Sequence, residues 1–234
     1  PLPNAPAPPL SEAARSSRRR YWMIWIAGVI CCISFLVIAE PIIFPARYGM
    51  RRSQNHARTA AMTDLREIHN ALFEFDVEYG SFPNASTIPK VQDAAGITMP
   101  FGTTFSNDYF RQLLALGFAT EGKFGSSSKK FRLSDGLCEG SRALEKGECG
   151  FAYVVGLSTS HDSSTPLVIA PVIPGSHRFD SDPYGGKAVV VHVDGSAASY
   201  PIRKDGKIDM GKGNLLDPAK PEWKGKPLTI AWPE

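Results

Sequence analysis

Apolar residues fall into three regimes along this chain. Residues 21–39, YWMIWIAGVICCISFLVIA, form a nineteen-residue run with no formal charge. From Arg51 onward a periodic stripe replaces the run. Ala57, Ala61, Leu65, Ile68, Leu72, Phe75 and Tyr79 recur at steps of 4, 4, 3, 4, 3 and 4, which puts them on one face of an α-helix. Arg58, Asp64, Arg66, Glu67, Glu74, Asp76 and Glu78 mostly take the other faces. Gly80 supplies a C-terminal stop and Pro83 prevents resumption. Residues 84–137 read as loops around one short helix, NDYFRQLLALGF (107–118), with Gly117 as its stop. After residue 150 the pattern is that of strands. GFAYVVGLS (150–158) and TPLVIAPVI (165–173) are strand-like. In KAVVVHVDGSAASYPI (187–202), two β-prone runs flank Asp194 and Gly195, a hairpin signal. RKDGKI (203–208) repeats the device, Pro201 marks an edge strand, and LTIAW (228–232) predicts a last strand. The expected fold class is α+β: an N-terminal transmembrane helix leading into an amphipathic helix packed on a small antiparallel β-sheet.

At 1.5 Å per residue the uncharged run nearly spans a bilayer core of about 30 Å. Tyr21, Trp22 and Trp25 stand at one end, where amphipathic rings favour the headgroup level. Arg15, Arg18, Arg19 and Arg20 precede the run, whereas Arg47, Arg51 and Arg52 follow it. That bias predicts a single-pass chain with a cytoplasmic N-terminus and its body outside the cytoplasm. The run is longer than the apolar core of a signal peptide, which weighs against cleavage after Ala39. A charge-free run behind an arginine cluster also weighs against a buried core helix. Cys31 and Cys32, mid-run, read as small apolar residues. Pro41 and Pro45 are expected to kink or interrupt the helix, and Glu40 marks the far interface. The domain organisation expected is a disordered basic tail (1–20), a transmembrane helix (21–44), an amphipathic stalk helix (45–83) and a loop-rich antiparallel β head (84–234).

Charge narrows the partners. The four arginines of residues 1–20 against Glu12 give +3, so the remaining 214 residues sum to zero. A neutral body argues against nucleic-acid binding, which depends on concentrated positive charge. Gly and Pro together number 40, about 17% of the chain, consistent with many turns.

Candidate chemistry is sparse. His161, Asp162 and Ser163 are adjacent, but triads are assembled from distant elements and no nucleophile elbow is present. GKIDMGKG (206–213) approaches a phosphate loop but has no Ser or Thr after Lys212. NAS (84–86) fits a glycosylation sequon. Asp180 and Asp182 in FDSDPYGG offer oxygen ligands to a hard cation such as calcium, although Asp beside Pro and Gly is more commonly a turn former. Cys138 and Cys149 are eleven apart, and outside the cytoplasm a disulfide between them would close a short loop. No paired Cys or His stands at zinc spacing. The chain is therefore expected to be non-enzymatic, without cofactor or catalytic residues.

ARTAAMTDLREIHNALFEFDVEYGSFPN (57–84) resembles the helix end of type II secretion major pseudopilins and related type IV pilin-like proteins. Asp64, Ile68, Ala71, Leu72, Tyr79, Gly80, Phe82 and Pro83 carry the resemblance, over about 28 residues. KAVVVHVDGSAASYPI looks like the sheet end of large pseudopilin-like proteins from the planctomycete–verrucomicrobial group. The family's prepilin peptidase motif, a Gly before the apolar run and a Glu five residues into it, is missing from RRRYWMIWIAG. The resemblance implies a bacterial inner-membrane protein with a periplasmic head, a structural component of a type II secretion or pilus-like apparatus. Its partners would be the membrane, other apparatus subunits and possibly itself. The alternative is a bitopic extracytoplasmic binding or sensor module unrelated to pili.

Overall fold

The computed structural model describes residues 22–23, 25–35, 45–97, 99–125, 132–208, 214–216 and 229–234. The chain divides into two units, Pro1–Met50 and Arg51–Glu234. In the first, residues 22–23 and 25–35 are helical and expose Trp22, Trp25, Ile30 and Phe35. Among the described residues no helix is long and apolar enough to cross a membrane. Residues 21, 24 and 36–44 of the expected span lie outside the described residues, as does the 1–20 tail.

Helix α1 runs from Pro45 to Tyr79, 35 residues or about 52 Å. The described part of this helix starts at Pro45, and a proline suits a first helical turn because the N–H there has no intrahelical partner and the fixed φ is already helical. Residues 49–56 are almost all exposed, and burial begins at Ala57. The stripe then does what its period predicts. Ala57, Ala61, Leu65, Ile68, Leu72 and Phe75 are buried and Tyr79 is half-buried. Gly80 ends the helix at φ +80°, its N–H donating to the Asp76 carbonyl at 2.8 Å, a left-handed C-terminal cap.

Two further helices follow, not one. Helix α2, Ile88–Ala95, was not expected; Pro89 lies in its first turn and Gly96, at φ +61°, closes it. Helix α3, Ser106–Ala115, occupies the predicted position.

Among the described residues five short strands form one antiparallel sheet: β1 Ala152–Val154, β2 Pro166–Ala170, β3 Lys187–His192, β4 Ala197–Pro201 and β5 Ile230–Ala231. Their order is β4-β3-β2-β1-β5, so four strands form a meander and the last returns beside the first. Each is shorter than the run that predicted it. The β3–β4 turn centres on Asp194 and Gly195, with Gly195 at φ +80° and its N–H on the His192 carbonyl. Pro201 ends β4, an edge strand, where a missing donor leaves no gap in the ladder. Arg203 and Lys207 close the next turn, beside the Ile202–Ile208 bridge.

The sheet is covered on both faces. One core joins the α1 stripe, α3, Tyr153, Val168, Val189 and Val191. A second contains Ala152, Ile169, Ala188, Val190, Phe179, Ile208, Leu215 and Leu216 on the far side. Alternate residues of β3 therefore enter different cores. That is why its Val run is unbroken rather than alternating with polar residues.

Candidate functional site

Helix α3 organises the loops before the sheet. Nine of its ten residues are buried, including Asn107, Asp108, Arg111 and Gln112. Buried polar groups need partners, and these find them in neighbouring loops. Asp108 Oδ2 accepts the N–H groups of Thr104 and Phe105, capping the helix start. Arg111 donates to the carbonyls of Ala143 and Leu144 and pairs with Asp108 at 2.8 Å. Asn107 donates to the Leu144 carbonyl, and Gln112 binds Thr87 and the Asn84 carbonyl.

The loop 132–149 pinned by these contacts carries seven charged residues. Glu121, in the 3₁₀ turn Glu121–Lys123, and Glu148 are fully buried, and Asp135 is exposed. One carboxylate oxygen from each lies within 4.8 Å of one from each of the others. Glu121 accepts three hydrogen bonds. Its Oε1 takes the Leu144 N–H at 2.6 Å, and Oε2 takes the Ser134 hydroxyl and the Gly136 N–H at 2.6 and 2.7 Å. Glu148 Oε2 accepts the Glu145 N–H at 2.7 Å, whereas its buried Oε1 accepts no hydrogen bond. The nearest cation to Oε1 is Arg132 Nε at 3.5 Å. Burial pushes the Glu148 carboxyl above its usual range; the Glu145 N–H pulls it back, and the Glu121 carboxylate pushes further.

The residues singled out by sequence fall elsewhere. His161 Nδ1 accepts the Ser158 N–H at 3.1 Å, while Asp162 Oδ1 accepts from Ser164 at 2.9 and 2.6 Å. Both contacts shape turns of one exposed loop. Residues 209–213 of GKIDMGKG lie outside the described residues. The Asn84 amide is engaged by Ser81 and the Phe82 carbonyl, and its oxygen by Ser86, so it shapes the turn after α1. Asp180 Oδ1 accepts the Asp182 N–H at 3.0 Å, a turn former's contact. Neither belongs to the three-carboxylate group.

The expected Cys138–Cys149 disulfide is not formed, and both cysteines are free. Cys149 is fully buried against α3, its Sγ 3.5 Å from the Ser106 hydroxyl and 3.4 Å from the Phe151 carbonyl. Cys138 is half-exposed and contacts the Gly136 carbonyl of its own loop. Burial pushes the Cys149 thiol up to about 11, so it is a neutral packing group at ordinary pH.

The outer side of α1 is the remaining feature. Phe73 and Val77, one turn apart, are 48% and 72% exposed, away from the buried stripe. Comparison with protein-family models, with curated proteins and with solved structures finds no match.

Proposed function

We propose that this chain is a membrane-anchored, pilin-like structural component of a type II secretion or pilus-like apparatus, acting by protein–protein packing and not by catalysis. The observation that carries the reading is α1. It is one uninterrupted 35-residue helix that follows an apolar segment and buries only its later part in an α+β head. The exposed 49–56 segment and the Phe73/Val77 pair leave helix surface for other subunits. The uncharged run 21–39 would hold the chain in the inner membrane with the head in the periplasm. The missing peptidase motif fits a permanent anchor.

Photo-crosslinking from positions 73 and 77 of the full chain in its native membranes tests the reading. The expected product is a cross-link to a second copy or to another membrane-embedded apparatus subunit, together with a mature N-terminus that retains Arg18–Arg20. Cross-links only to a soluble ligand-carrying or signalling partner, or a mature chain starting at Glu40, would overturn it.

A further inference from the structure

We infer that Glu121, Asp135 and Glu148 form a binding site for one hard divalent cation, calcium by its ligand chemistry, which fastens the 132–149 loop to the head. Three observations converge. The three carboxylates present oxygens within 4.8 Å of one another, from a 3₁₀ turn, a loop and the turn leading into β1. Glu148 is fully buried and keeps one oxygen without a hydrogen bond, although a buried carboxylate oxygen in that condition is costly.

Charge gives the third. Among the described residues, Glu121, Asp135, Glu145 and Glu148 face Arg132, which pairs with Glu145, and Arg142, which pairs with Asp135, four negative against two positive. Arg111 does not offset them, because it is paired with Asp108. Arg132 does not close the gap either. It is half-exposed and aims its short contact, 2.6 Å, at Glu145, standing 3.5 Å from Glu148. One divalent cation would cancel the remainder.

The donor set selects the ion. All three ligands are carboxylates, and the Ser134 hydroxyl and the Gly136 N–H donate to Glu121 Oε2 and hold it in place. Hard oxygen donors in an irregular arrangement suit calcium, whereas magnesium demands near-ideal octahedral geometry and keeps its waters. Zinc favours thiolate and imidazole. The inference is independent of the assembly reading, since it concerns the head alone.

The test is calorimetric titration of the full chain in detergent, stripped with chelator, with calcium chloride. The expected result is about one calcium per chain, with a dissociation constant at or below the millimolar range of extracytoplasmic modules, and a higher melting temperature. Glu148→Gln should weaken binding at least about tenfold, and so should Asp135→Asn, which removes an exposed ligand and cannot disturb the core. The double change Asp180→Asn and Asp182→Asn should leave binding unchanged. If Glu148→Gln fails to fold, Asp135→Asn decides alone. No saturable heat up to about 5 mM calcium, binding unaffected by Asp135→Asn, or an equal response to magnesium would overturn the assignment.

Discussion

Asp64 shows how a single residue on the α1 face carries a pH signature. Burial pushes its carboxyl up to about 6, Lys123 pulls it down, and Glu67, itself paired with Lys123 at 2.6 Å, adds to the rise. A raised carboxyl binds its proton more tightly in the folded chain than in the unfolded one, where 3.8 is the ordinary value. Folding is therefore penalised above pH 6, and the penalty fades as pH falls through 6 towards 3.8. Asp64→Asn should stabilise the protein at pH 7 by roughly 1–2 kcal/mol, a figure discounted for the half-exposure of the group. The gain should largely vanish near pH 4, and paired urea melts at the two pH values measure it. Elsewhere a residue's meaning came from a contact. At Gly195 a Cβ would stand 2.8 Å from the His69 ring, whose Nε2 donates to the Val193 carbonyl at 2.9 Å. The glycine serves the turn and the helix–sheet contact together.

At the scale of elements, α1 follows its sequence period closely. Phe75 lies in the buried stripe, stacked on Tyr79 at 4.5 Å and edge-on to Phe118 at 6.3 Å. Val77, two residues on, faces outward. Phe75→Ala should cost about 3–5 kcal/mol, while Val77→Ala should stay within about 0.5 kcal/mol. Chemical unfolding of the two variants side by side separates them, and similar losses would mean that the helix face is misassigned. Helix α2 escaped notice for a clear reason: Val91 is its one buried residue, so it carries no stripe. Helix α3 was legible in position but not in burial. Asn107, Asp108, Arg111 and Gln112 are buried because neighbouring loops supply their partners, which a helical period does not record.

For the whole molecule, the second core is decisive. A one-sided sheet under a helix would leave Ala188 and Val190 in water, yet they are buried with Leu215 and Leu216. Leu216→Ala should therefore lower stability by about 2–5 kcal/mol, readable as a shift in the denaturation midpoint. A change under about 0.5 kcal/mol would mean that the far face is not covered by this segment.

The sequence by itself determined what is local. The α1 stripe, its Gly80 stop, the Asp194–Gly195 turn and the edge position of Pro201 all follow from periodicity, φ preference and donor count over a few residues. Tertiary structure alone decided what joins distant residues. Glu121 reaches Asp135 and Glu148 only because α3 pins the intervening loop, and no spacing announces that meeting. Cys138 and Cys149 looked like a pair because they are near in sequence, but burial against α3 gives Cys149 other neighbours. Periodicity records which side of an element meets the core, and carries nothing about which distant loop the core will bring beside it.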